Sequence, residues 1–135
     1  MKALTVLEPW ATLIVEGKKI IETRNWDTDY RGKILIHSSK TIMRNEDYVQ
    51  HLLQFVDKNH LNFNRGCIIG EVDLVDIKPV SLEFLNLVKN TNYIDYITSE
   101  WTTCKYVWIL DNPKFYDKPI PAKGSLGLWE YKKET

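Results

Sequence analysis

Two cysteines, Cys67 and Cys104, are too few for a disulfide framework and form no metal-binding pattern. That usage points to a reduced, cytoplasmic protein, and nothing in the sequence asks for a metal or another cofactor. No apolar run approaches the roughly 18–20 residues that cross a bilayer. The amino terminus passes from Lys2 through a short strand-like pattern to Pro9, without the apolar core of a signal peptide, so no membrane association is expected. A Gly-rich phosphate loop, a Gly-x-Ser-x-Gly elbow and a His-Glu-x-x-His pair are all missing. Readily recognised nucleotide triphosphatases, serine hydrolases and zinc proteases are thereby excluded. Net charge is missing as well, with 18 Lys and Arg against 18 Asp and Glu, so no global pull toward nucleic acid exists. The imbalance is local. Residues 1–45 carry eight basic and five acidic side chains, the remainder ten and thirteen, which permits a basic patch on a neutral protein.

What is present suits one domain over residues 1–135, long enough to bury roughly 68% of its unfolded surface. Lys2–Val6 alternates as a strand. Pro9 opens a helix carrying Trp10, Leu13 and Ile14, which Gly17 ends in a left-handed conformation. Ile20–Arg24 and Lys33–Ser38 read as strands joined by a polar connection. Tyr48, Val49, Leu52, Leu53 and Val56 predict a helix over Asn45–Lys58. Cys67–Ile77 is a long β-type run, Ser81 caps a helix through Lys89, and the stretch around Tyr93 and Tyr96 has no clear assignment. Tyr106–Leu110 is a strand that Asn112-Pro113 is expected to stop, and Leu126–Tyr131 closes the chain as the last strand. Short strands with helices between them predict an α+β domain built on a mixed sheet or small barrel.

The segment Gly17-Lys18-Lys19-Ile20-Ile21-Glu22-Thr23-Arg24 threads charge through a stretch that otherwise favours burial. A charged group near a core costs several kcal/mol unless it is paired or hydrogen-bonded. An extended Ile20–Arg24 places Glu22 and Arg24 on one face, where they can pair. Lys19 reaches Glu22 only from the turn after Gly17. Two readings stand: a structural ion pair on a barrel rim, or a cluster awaiting a polar ligand. His37, Ser38 and Lys40 follow the second strand, and with Arg31 and Lys33 they supply donors suited to a phosphate or a base edge. His37 alone reads equally as a hydrogen-bonded core residue. Glu71, among Ile and Val, is either an acid-base carboxylate or a solvated edge residue. Of five tryptophans, Trp26 in a polar loop is the best placed to stack on a base.

Glu8-Pro9-Trp10-Ala11, Gly17–Arg24, Tyr30-Arg31-Gly32, Gly66–Val72, Tyr106–Leu110 and Pro121–Trp129, in that order, resemble the ASCH family of activating signal cointegrator homology domains. The resemblance implies a small PUA-like β-barrel of about five or six mixed strands with about two to four flanking helices. It further implies a cleft lined by the Lys-x-x-Glu-x-Arg strand, with recognition of RNA or of a nucleoside- or nucleotide-like molecule. Trp10 and Lys123 lie in the matched motifs and join the implied ligand contacts. Some relatives remove the acetyl group from N4-acetylcytidine, with a Lys, a Thr and a Glu as their proposed catalytic set. Lys19 matches the first, Glu22 stands at the Thr position, and Glu71 corresponds to the third. A carboxylate at that middle position cannot act as the same hydroxyl.

Two functions follow, beside the blander possibility of a protein-interaction domain in which the charged strand is only structural. In the first, Lys19, Arg24, Arg31 and Lys40 supply positive charge, Trp26 stacks, and Glu22 accepts from an exocyclic amine. In the second, a desolvated Lys19 acts as a base while Glu22 or Glu71 positions a nucleophile or protonates a leaving group, hydrolysing an amide or phosphodiester.

Overall fold

The alternating apolar runs form β1 (Lys2–Val6), β2 (Ile21–Arg24), β3 (Gly32–Ser38), β4 (Cys67–Pro79), β5 (Tyr106–Pro121) and β6 (Leu128–Glu130). They make one sheet in the order β2-β5-β4-β3-β1-β6. The β1–β3 pair is parallel and the other four pairings are antiparallel. This is a computed structural model, and it describes residues 1–133. Four helices flank the sheet: α1 (Trp10–Val15), α2 (Glu46–Leu53), α3 (Leu82–Thr91) and α4 (Tyr93–Thr98). The fold is therefore the expected α+β class, with the six strands curled into a half-barrel. The curl is sharp enough that Arg24 on β2 donates to the Thr5 carbonyl of β1 at 3.0 Å, although three strands stand between β2 and β1 in the sheet order.

The concave face collects Leu4, Val6, Ile34, Ile36, Val72 and Trp108, against which α1 packs Ala11, Ile14 and Val15. Each fully buried aliphatic side chain there contributes roughly 1.5–3 kcal/mol. α1 can sit so close because Gly70 has no side chain. A Cβ at Gly70 would stand 2.3 Å from the Lys114 carbonyl oxygen and 2.7 Å from Val15 Cγ1. Gly70→Ala is expected to cost at least about 1–3 kcal/mol through overpacking, read as a lowered urea midpoint.

Two expectations are corrected and one open stretch is assigned. β5 does not stop at Asn112-Pro113 but runs on to Pro121. Asp111 pairs with Asp73 and Lys114 with Glu71, so Asn112 and Pro113 together oppose Val72 alone. The bulge takes a φ of +51° at Asn112, a conformation asparagine tolerates, and keeps the proline out of the ladder. α2 ends at Leu53 rather than Lys58, because Asp57 caps a separate 3₁₀ turn over Lys58–His60 by accepting from the Asn59 amide. The unassigned stretch around Tyr93 and Tyr96 is α4, capped by Asn92, whose side chain accepts from the Asp95 amide. Among the described residues no helix is long and apolar enough to cross a membrane.

Candidate functional site

Gly17 takes a φ of +82° after α1, and the amides of Lys18 and Lys19 both donate to the Leu13 carbonyl. Lys19 thus lies in the turn rather than on the strand, and its side chain points inward. Only 1% of Lys19 is exposed. Its Nζ donates to Thr98 Oγ1 at 2.9 Å and stands 3.9 Å from Glu22 Oε1. It also lies 5.9 Å from the Trp10 ring centre. The two-residue period of β2 puts Arg24 on the same face as Glu22, and Arg24 Nη2 donates to Glu22 Oε2 at 3.0 Å. Beneath the turn, the buried Asp95 of α4 accepts from the Ile20 amide at 3.0 Å and the Ile21 amide at 3.2 Å.

The result is a buried run of alternating charge: Asp95, Lys19, Glu22, Arg24. Burial pushes the Lys19 pKa down, against the pull of the Glu22 and Asp95 carboxylates. Burial pushes the Asp95 carboxyl up, against the opposing charge of Lys19. Glu22 Oε2 is committed to Arg24, whereas Oε1 has only the longer approach of Lys19.

This run borders an open hollow of about 460 Å³, within the range of roughly 300–1,000 Å³ typical of small-molecule sites. Trp10 and Trp26 wall it, Thr23 and Glu100 lie along it, and Glu22 and Arg24 enter it. Trp26 does not wave freely in its loop. It packs edge-on against Trp108 with ring centres 4.7 Å apart, and its carbonyl accepts from Trp108 Nε1. Trp10 is fixed by donating to the Tyr48 hydroxyl at 3.2 Å, which in turn donates to the Ile97 carbonyl.

The ASCH domain family model matches residues 4–123. This chain belongs to the ASCH domain family. Activating signal cointegrator 1 of Homo sapiens is 28% identical to it over 136 residues, covering 94% of this chain and 22% of the human protein. The Mus musculus protein of the same name is 27% identical with the same coverage. The chain thus spans 22% of the length of these relatives. Among solved structures, ASCH from Zymomonas mobilis superimposes with a TM-score of 0.55 at 16% identity, covering 89% of this chain and 72% of that one. A point mutant of the same bacterial protein gives 0.52 at 17% identity, covering 89% and 74%. That likeness shows a shared fold.

Within this ASCH fold, Trp10, Glu22, Arg24 and Trp26 line the hollow, and Lys19 lies buried behind it, 3.9 Å from Glu22. The other candidates do not line the hollow. His37 is buried, with Nδ1 3.1 Å from Thr5 Oγ1 and Nε2 2.7 Å from the Ala122 carbonyl, so it ties β1 and β3 to the C-terminal segment. Arg31 donates to the Thr28 and Tyr30 carbonyls of its own loop and faces Asp76 at 3.6 Å. Lys40 is exposed with its stem over Gly66, and Lys123 is exposed. Glu71 accepts from the Tyr116 hydroxyl at 2.7 Å and pairs with Lys33 at 3.0 Å. Those contacts, the phenol first, hold its carboxyl below the usual range.

Ser38 is buried and donates to Glu8 Oε2 at 2.7 Å. Glu8 also accepts from the Thr12 amide and hydroxyl, anchoring α1 to β3. Burial raises the Glu8 pKa despite these bonds. The folded chain therefore keeps this proton over a window, starting at about pH 4.3, in which the unfolded chain has lost it. Stability owed to Glu8 falls as pH rises through that window. Glu8→Gln is expected to gain stability relative to the parent between about pH 4 and about pH 7, checked by urea midpoints across that range.

The hollow also contains groups the sequence reading did not single out. Glu100 comes from the loop after the segment left unassigned, and Asp95 and Thr98 of that segment lie buried behind the hollow against the Lys19 turn, so no periodicity marked them. Thr5 and Thr23 lie on strands whose alternation gave no reason to choose a threonine.

Proposed function

We propose that this ASCH chain binds RNA or a free nucleoside by taking one base into the hollow beside β2. The observation that carries the reading is the half-committed Glu22 carboxylate, held rigid by Arg24 and Lys19 between two indole walls. Its Oε1 is an acceptor for an exocyclic amine, and the tryptophans offer faces or edges for an aromatic ring. A base suits this site better than a phosphate. Both cations are already engaged by Glu22, and Glu100 adds a further carboxylate along the hollow.

Titration with adenosine, cytidine, guanosine, uridine and a short single-stranded RNA, followed by NMR at the Trp10 and Trp26 indole N–H groups, tests this reading. Saturable shifts at those two signals are expected. Trp10 and Trp26 indole signals unmoved by every one of these ligands overturn it.

A second reading, hydrolysis of an amide on a modified nucleoside, is favoured by one observation: burial lowers the pKa of Lys19 beside a carboxylate, as a general base requires. The set implied by resemblance is incomplete, because Glu71 does not line the hollow and a carboxylate stands at the hydroxyl position. Release of cytidine from N4-acetylcytidine, lost in Lys19→Met, supports hydrolysis. Equal rates in the two proteins, or no release, removes it.

A further inference from the structure

A second cavity, of about 320 Å³, lies on the other side of α1. Trp10 walls the first hollow and Thr12 the second, and two residues along a helix turn through about 200°. The second cavity is bounded by the loop that follows the 3₁₀ turn and by the stretch of β5 just after the Asn112-Pro113 bulge.

His60 is its most reactive wall. Nδ1 of His60 lies 2.6 Å from Glu16 Oε2, and the Glu16 side chain is only 4% exposed. The same carboxylate oxygen accepts from the Asp57 amide at 3.0 Å, which fixes the turn that carries the imidazole. The ring stacks on Phe115 with centres 4.2 Å apart and planes tilted by 31°. In the neutral imidazole a carboxylate at Nδ1 selects the tautomer with its proton there, and Nε2 is then an acceptor. His60 Nε2 has no hydrogen bond among the described residues.

The remaining wall is chemically selective. Asn59, Asn62 and Asn64 each bring an amide with both donor and acceptor, while Phe63 and Phe115 bring flat apolar surface. Asp117 is the one side chain of the wall with a fixed charge near neutral pH. Amides beside aromatic faces read the edge and plane of a heterocycle, and a wall this poor in cations does not attract phosphate.

We propose that this cavity is a second ligand site, independent of the first, which takes an uncharged planar heterocycle of the nucleobase type and receives its edge donor at His60 Nε2. Free nucleosides and bases of single-stranded RNA share this chemistry.

The test uses the whole chain, with long-range proton-nitrogen NMR of His60 and side-chain amide signals of Asn59, Asn62 and Asn64. The probes are adenosine, cytidine, guanosine, uridine and a single-stranded dinucleotide. At least one nucleoside is expected to shift these signals saturably. The shifts should persist in Arg24→Met, and the affinity should fall by about tenfold in Asn62→Ala, an exposed loop position. Tighter binding of the dinucleotide than of either nucleoside identifies RNA as the source, and equal binding identifies the free molecule. Signals unmoved by every probe overturn the proposal, as do shifts that vanish in Arg24→Met, which belong to the first hollow. The Trp10 and Trp26 indole signals report that first hollow separately, so either site can fail without the other.

Discussion

Replacing Asp95 by alanine is expected to destabilise the chain by about 2–5 kcal/mol, because it strips two backbone amides of their acceptor. The Asp95 carboxylate does two jobs. It accepts the backbone amides that open β2, and it faces the buried ammonium of Lys19. Alanine leaves two N–H groups without acceptors and removes a second, more distant carboxylate from Lys19, whose nearest countercharge is Glu22 at 3.9 Å. A protein of this size is stable by only about 5–15 kcal/mol, so urea denaturation should show a large shift in midpoint. The double variant Asp95→Ala with Lys19→Met separates the two jobs. Removing the buried ammonium should recover whatever part of the loss comes from its weakened charge balance, and the part not recovered belongs to the amides. A single-variant cost below about 1 kcal/mol would show that Asp95 does not hold the turn.

The second large effect is a reversal of base preference in Glu22→Gln. The native Oε1 can only accept, so ligands with an amine edge, cytidine and adenosine, should bind better than uridine. Glutamine should place its carbonyl oxygen at the Oε2 position, where Arg24 donates at 3.0 Å, and its amide nitrogen at the Oε1 position, which Lys19 approaches only at 3.9 Å. The nitrogen then becomes a donor aimed into the hollow. Affinity for cytidine should fall by roughly 10- to 150-fold, the value of a hydrogen bond to a charged group, while uridine binding holds or improves. Isothermal titration with the two nucleosides reads both changes. Parallel loss for cytidine and uridine would mean that Glu22 supports the walls without reading the base.

Much of this site could be read from one eight-residue segment. Alternation along Ile21–Arg24 placed Glu22 with Arg24, and the glycine at position 17 located Lys19 in the turn from which it reaches them. Such local rules work because the period of a strand and the left-handed conformation of a glycine are properties of a few adjacent residues. Asp95 was invisible for the opposite reason. It lies on a six-residue helix with little apolar periodicity, and its partners are backbone amides 75 and 74 positions away. The extent of β5 was misjudged because a two-residue bulge can carry a proline past a ladder that no sequence rule lets it enter. His37 and Glu71 read as chemical groups in the sequence, yet each is satisfied by a partner far along the chain: the Ala122 carbonyl for the first, the Tyr116 hydroxyl for the second.

The contact between Arg24 and the Thr5 carbonyl has a mechanical consequence. It fastens the edge strand β2 to β1, near the opposite margin of the half-barrel, with the same guanidinium that steadies Glu22. A guest that draws this group toward itself also unbuttons the seam. Occupancy of the hollow and breathing of the sheet are therefore joined at one side chain, and backbone amide exchange in β1 and β2 is where that linkage would be felt.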